Sequence, residues 1–397
     1  MRILLVNDYG RPQGGAEILL INLREALRRA GHDARLFASN AGDIDAANVA
    51  DYTCHGSNTR LRTLVQTFNP WAVRRLRQVL SEFQPDVVHV KMFLTQLSPF
   101  ILPVLRNYPA LYHIVWYRSI CPLGTKQLPN QTPCHSPPGL VCHRTGCLPW
   151  RVWLPLMLQL KLWRRWRSVF KAMVAASEAV RVRLLAEGVG PIEVIHNGIA
   201  AAAPRSSLSS APTIAFAGRL VREKGVDVLL RAFALLKSRL PEAKLVICGD
   251  GPDRKRIENL ILELNLPDDV SMRGFLPTRQ VVETFRRSWV VAVPSVWEEP
   301  FGHVGIEAMM NGIPIVASKI GGLAEIVEDG RTGFVVPPND SEALSSALLK
   351  IAGDRQMAET MGRAAHERAM ARFSEEELVR RFVNVYRSIG AGSAEAE

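Results

Sequence analysis

The sequence has no apolar run near the roughly 20 residues that a membrane-spanning helix requires. Its apolar opening, Arg2-Ile3-Leu4-Leu5-Val6, gives way at once to Asn7-Asp8-Tyr9-Gly10. That is too short for an export signal and lacks a small-residue cleavage site, so it reads as a strand and a turn, and a cytoplasmic chain is expected. Cysteine is scarce: Cys54, Cys121, Cys134, Cys142, Cys147 and Cys248 are the whole complement. Without an export signal, reduced thiols are expected in place of a disulfide framework. Acidic residues are short in the first half. Residues 1–203 carry 24 Lys and Arg against 12 Asp and Glu, and the remainder carries 25 against 26, so the net charge of +11 comes from the first half. Such a field attracts anionic lipid, an anionic acceptor or nucleic acid, or is a solvated surface with no partner. A nucleic-acid role would rest on charge alone, and none is expected.

What is present suits a globular enzyme: 397 residues, 47% hydrophobic and 22% charged. That length exceeds one ordinary core and asks for two domains of roughly 150–200 residues. Ile3–Val6, Asp33–Ala38, Asp86–Val90 and Ala110–Trp116 are strand candidates, with a wide-striped helix from Ala16 to Ala30 closed by Gly31. Residues 198–212, small, Pro- and Ser-rich and without period, read as a linker. The alternation restarts at Thr213–Ala217 and runs through strands at Lys244–Cys248, Val270–Gly274, Val290–Pro294, Ile313–Ala317 and Gly333–Val336. The helices between them are Val226–Leu240, Asp253–Leu264, Val304–Asn311 and Ser341–Ala352. The fold class is therefore α/β, with parallel sheets covered on both faces. The expected division is 1–197, linker 198–212, 213–373, and a terminal helix from 374 returning to the first domain. Two such halves leave a cleft at their strand C-termini, where ligands bind.

The most specific text is Pro294-Ser295-Val296-Trp297-Glu298-Glu299-Pro300-Phe301-Gly302-His303-Val304-Gly305-Ile306-Glu307-Ala308-Met309. Glu299 falls in a strand–helix loop and Glu307 eight residues on, on the helix. Buried carboxylates suit a ligand rich in hydroxyls, and a helix N-terminus suits a diphosphate. The second segment, Phe216-Ala217-Gly218-Arg219-Leu220-Val221-Arg222-Glu223-Lys224-Gly225, also follows a strand and precedes a helix. Two fixed cations there can neutralise negative charge that grows on a departing group, which is work a divalent metal otherwise does. In the first half, Asn7 to Glu17 is a Gly-containing loop holding Gly14 and Gly15, without the G-x-G-x-x-G spacing of a dinucleotide fingerprint.

Together these segments resemble the retaining GT-B glycosyltransferases of family 4, the glycosyl transferases group 1 type. The resemblance is strong over about 213–350 and rests on isolated points in the first half. It implies two Rossmann-like domains facing each other across a deep cleft, with the acceptor on the first and the nucleotide sugar on the second. It gives Glu299 the donor sugar's hydroxyls, Glu307 the ribose hydroxyls, and Arg219 and Lys224 the diphosphate. The backbone of Phe301, Gly302 and His303, with Val304, would face the sugar and phosphate. Gly14 and Gly15 resemble the family's Gly-Gly loop near the donor phosphate. Gly218, Gly249 and Asp250 match nucleotide-side loops, and the base is expected by Phe275 and Leu276. The family often has a His where His113 stands, followed by Asp or Asn; here Ile114 follows. Asn197 matches a structural Asn-Gly turn. Catalysis with retention is implied, through same-face attack with Arg219, Lys224, Glu299 and His113 as the catalytic set and no catalytic metal. The donor would be a UDP-, GDP- or ADP-sugar, and the acceptor a saccharide or a lipid-linked intermediate. A GT-B epimerase or hydrolase and a non-catalytic sugar-nucleotide-binding subunit are the rival readings.

Three further features stand apart. Cys121, Cys134, Cys142 and Cys147, with His135 and His143 between them, offer ligands for a structural zinc or are plain thiols; no C-x2-C knuckle decides it. Leu148 to Arg167 carries four Trp, many Leu and clustered Arg, and is either a helix at an anionic membrane surface or an ordinary core-facing helix. Asp43-Ile44-Asp45 imitates a metal-binding D-x-D but sits away from the other motifs.

Overall fold

Short apolar runs flanked by Gly, Pro and Asp become strands buried on both faces, which is what a parallel sheet between helix layers demands. The computed structural model describes residues 1–12, 14–42, 47–59, 62–130, 132–205, 208 and 211–391. Asp43-Ile44-Asp45 lies outside them. Two compact units result. One is Met1–Asn197 together with the helix that begins at Glu375, and the other is Gly198–Ser374.

The first unit has strands β1 (Arg2–Tyr9), β2 (Asp33–Ser39), β3 (Tyr52–Cys54), β4 (Val87–Val90), β5 (Ala110–Ile114), β6 (Ala172–Ala175) and β7 (Glu193–Val194). They form one sheet in the order β3-β2-β1-β4-β5-β6-β7, parallel throughout. One face is covered by Pro70–Phe83, Trp150–Trp166 and the chain between them, around Leu76, Phe93, Tyr112 and Trp163. The other face is covered by Gly15–Arg29 and the terminal helix Glu375–Ala391, which brings Leu378, Phe382 and Tyr386 onto Ile3, Leu5 and Leu111. Tyr386 Oη lies 2.6 Å from His89 Nδ1. Burial pushes the His89 imidazole down to about 3, so it stays neutral. Phe382 is wholly enclosed against His89 and His113. Phe382→Ala is expected to cost about 3–5 kcal/mol of unfolding free energy, read by urea denaturation; a loss below about 1 kcal/mol would show the helix to be a loose appendage.

The second unit has β8 (Thr213–Ala217), β9 (Lys244–Cys248), β10 (Val270–Gly274), β11 (Val290–Val293), β12 (Ile315–Ser318) and β13 (Gly333–Val336). Its sheet runs β10-β9-β8-β11-β12-β13, again all parallel. Val226–Lys237 and Ser341–Ala352 pack on it through Leu229, Phe233, Leu344 and Leu348. The stretch read as a linker belongs to this unit from Gly198 on. Arg205 donates to the carbonyls of Ser288 and Ala358, and Leu208 is buried in the core. A polar, Pro-rich stretch is thus held by side chains that carry no period.

Candidate active site

In the second sheet the strand order turns between β8 and β11, so the loops leaving these two neighbours diverge and open a crevice at their C-terminal ends. Both specific motifs fall there. After β8 a short turn, Arg222–Lys224, ends at Gly225, and Val226–Lys237 begins. Gly225 has φ +66°, and a Cβ there would meet the Pro294 carbonyl oxygen at 2.0 Å. This close approach presses the turn against the β11 loop, and Val296 N–H donates to Glu223 O at 2.9 Å.

Lys224 and Glu299 are thereby brought together. The ammonium donates to Glu299 Oε1, and Ser295 Oγ donates to the same oxygen at 2.8 Å. Glu299 is 7% exposed, and burial alone would raise its carboxyl; the Lys224 charge and these hydrogen bonds overcome that and hold it below its ordinary range. A buried carboxylate is thus kept ionised, ready to accept from hydroxyls. Behind it, Gly321 has φ +55° and would clash with the Glu299 carbonyl oxygen at 2.3 Å if it carried a Cβ, while Gly322 N–H donates to that oxygen at 2.8 Å. Sequence reasoning passed over Ser295 and this Gly-Gly pair, although a Gly pair just after an apolar strand was a visible signal.

Gly302 opens the helix His303–Met310 without a side-chain cap. The Phe301 ring is buried against His303 and Phe373, which leaves only its backbone for a ligand. Val304 and Glu307 follow on that helix, both partly buried. Burial pushes the Glu307 carboxyl up to about 7. Arg219 stands exposed directly after β8 and forms no ion pair among the described residues. Its neighbours are fixed by backbone bonds: Gly218 N–H to Cys248 O at 3.0 Å, Leu220 N–H to Asp250 O at 2.9 Å, and Gly249 N–H to Gly274 O at 2.7 Å. The β8, β9 and β10 loops therefore form one tier. The Asp250 carboxylate turns to Gly251 N–H and Arg254. Phe275 is 81% exposed at the end of this tier, with Leu276 beside it.

Gly14 and Gly15 start the helix Gly15–Arg29 in the first unit. Beneath them lies a charged group that sequence reasoning missed. Asp8 accepts from the amides of Thr95, Gln96 and Leu97, and Lys91 Nζ donates to Ala16 O at 2.9 Å beside the buried Glu17. Burial brings the Lys91 ammonium down to about 7. A Lys placed immediately after the Val-rich strand Val87–Val90 was the available sign.

One expectation is corrected. His113, read as facing a donor sugar, is 1% exposed and packs with its ring centroid 5.2 Å from His89 and 4.9 Å from Phe382. Alternation along β5 turns it toward the terminal helix, and it is a core side chain. The four cysteines do not assemble a zinc set: no three His, Cys, Asp or Glu side chains among the described residues are grouped to hold a metal. Cys142 lies in the short helix Val141–Arg144 and packs on Leu148 and Leu156. His143 bonds Leu148 O and His135 bonds Arg183.

Comparison with known proteins follows the two units. Residues 13–202 match the family model described as Glycosyltransferase Family 4, and residues 203–368 match Glycosyl transferases group 1. The α-D-kanosaminyltransferase of Streptomyces kanamyceticus is 33% identical over 186 residues, 47% of this chain and 48% of that one. The chain spans about half or less of the length of the curated relatives it matches. Among solved structures, a sucrose-phosphate synthase from Thermosynechococcus elongatus aligns with a TM-score of 0.73 at 24% identity, over 99% of this chain and 100% of that one. Anabaena HepE in complex with UDP-glucose aligns at 0.69 and 22% identity, over 98% and 100%. With two all-parallel α/β units and both family models matched in succession, the chain belongs to the group 1, family 4 glycosyltransferases of GT-B fold.

Proposed function

We propose that this chain transfers a hexose-type sugar from a nucleoside-diphosphate sugar to a hydroxyl of a saccharide or lipid-linked acceptor, with retention at the anomeric carbon. The observation that carries the reading is the Lys224–Glu299 pair at the turn in strand order, with Arg219, which forms no ion pair among the described residues, on the same loop as Lys224. A carboxylate held ionised by its neighbour accepts from two sugar hydroxyls at once. Lys224 keeps donors to spare for a phosphate oxygen, and Arg219 supplies a planar fork for another. The first-turn amides of His303–Met310 add the helix-end field. These groups neutralise the departing diphosphate, whose oxygen takes the acceptor's proton as the acceptor attacks from the same face. Glu307 takes the ribose hydroxyls, and exposed Phe275 offers a face for the base. His113 has no part in the mechanism. A UDP-glucose-bound neighbour of the same fold supports a donor of this class.

The test is a screen of UDP-, GDP- and ADP-sugars for binding and slow hydrolysis by the purified chain. One donor is expected to bind in the micromolar-to-millimolar range usual for enzyme substrates, about 1 μM to 1 mM. Indifference to all three classes would overturn the reading. Hydrolysis or epimerisation that no saccharide or lipid-linked acceptor alters would transfer it to a hydrolase or epimerase.

A further inference from the structure

The helix Trp150–Trp166 turns Leu156, Gln159, Leu160 and Trp163 into the first unit. The opposite stripe of a surface helix is ordinarily polar. Here it is Trp150, Leu154 and Leu158, at successive fourth positions, and then Lys161 and Arg165, all exposed. Alongside runs the short helix Arg62–Thr67, tied on by Gln159 Nε2 to Gln66 O and by Thr67 Oγ1 to Pro155 O at 3.3 Å. It adds Leu64 and Phe68, with Trp71 just beyond. These six apolar side chains are 49–63% exposed. Phe68 stacks edge-on with Phe100, and Phe100 with Trp166, so the two rows are joined by packed rings. Residues 87–177 contain no Asp or Glu and 11 Lys and Arg, and residues 52–81 likewise contain no acid. Arg62, Arg151, Lys161 and Arg165 are exposed around the apolar rows.

We infer that this face rests on an anionic lipid surface, with the Trp and Leu row sunk among the acyl chains and the cations among the headgroups. Charge selects the occupant. A second copy meeting this face with the same face would set cations against cations, whereas an anionic bilayer complements both the apolar rows and their basic surround. No helix among the described residues is long and apolar enough to cross a membrane, and this helix lies in the interface plane. The inference is independent of the donor assignment.

The full chain is mixed with phosphatidylcholine vesicles, with or without phosphatidylglycerol, and sedimented. Partition is expected only with the anionic lipid and falls as salt rises. Arg151→Gln, Lys161→Gln and Arg165→Gln together should lower it about a hundredfold, at roughly fivefold per cation. Leu154→Gln with Leu158→Gln should lower it at least about tenfold. Unchanged melting curves for both variants would show that the fold is intact. Failure of the unaltered chain to partition, equal binding to neutral vesicles, or variants that bind as the parent does would each overturn the inference. So would a chain that ignores vesicles but dimerises through Leu154 and Leu158 in analytical ultracentrifugation.

Discussion

Arg219→Ala is expected to lower turnover by about 10²–10³ while leaving the melting temperature where it is. Arg219 is exposed, forms no ion pair among the described residues, and sits in backbone fixed by the Gly218 and Leu220 hydrogen bonds. Truncation therefore removes a charge aimed at solvent and little else. Lys224→Ala should cut turnover comparably but with a second effect. It strands the Glu299 carboxylate, 7% exposed, with Ser295 as a remaining donor. A buried carboxylate that loses its cation costs up to about 3–5 kcal/mol. Adding Glu299→Gln to Lys224→Ala should restore that stability and leave turnover low, because the pair is then neutral while the diphosphate still lacks its cation. Initial rates at saturating donor, set beside urea denaturation of the same three proteins, separate the two effects. Parental turnover in Arg219→Ala would remove that side chain from the leaving-group site.

The contrast shows what a linear text can carry. Arg219, Lys224 and Glu299 stand out in the text because each is a residue type with chemistry placed in a loop after an apolar strand, and Glu307 because it follows eight residues after Glu299 on the next helix. That Lys224 and Glu299 form a pair was not legible. It depends on β8 and β11 being neighbours although two strands separate them in the chain, and on Gly225 and Gly321 allowing backbones to touch. Ser295 sat inside the quoted motif, yet its role appears only once the β11 loop folds back on Glu299.

Strands read well where burial on both faces makes them continuously apolar, as at Val290–Val293. The helix Arg355–Phe373 was missed. Its buried side is built largely of Ala358, Ala365 and Ala369, and Gly362 interrupts it, so the apolar period is faint even though Asp354 caps it through Met357 N–H. His113 failed for another reason. Its position in the text matched a functional His, but a one-residue difference along a strand decides which face a side chain takes. The cysteine loop stayed undecided in the text because spacing says how far apart ligands are in sequence and nothing of how they group in space.

Glu307→Gln should make the ligand-free chain more stable at pH 8 by up to about 3 kcal/mol and no different below about pH 4. In the folded chain, burial raises this carboxyl from its ordinary range to about 7, with no cation offsetting it. The unfolded chain loses the proton near pH 4.5, the folded chain near 7, so between those values the folded state holds a proton that the unfolded state has released. Stability contributed by the neutral carboxyl is complete below pH 4.5 and is lost as pH rises through 7. Gln is neutral at every pH and avoids the loss. On the donor assignment proposed above, ribose hydroxyls donate to the ionised form and draw its proton off. Nucleotide binding should then tighten as pH rises through 7, with proton release visible when calorimetric titrations in two buffers of different ionisation enthalpy are compared. The Gln variant should bind more weakly and lose that pH dependence. Equal stability of parent and variant at pH 8 would show that Glu307 is solvated; proton-free, pH-independent binding by the parent would detach Glu307 from the ribose. A residue that weakens the empty fold and strengthens the bound one is what a binding carboxylate buried ahead of its ligand should be.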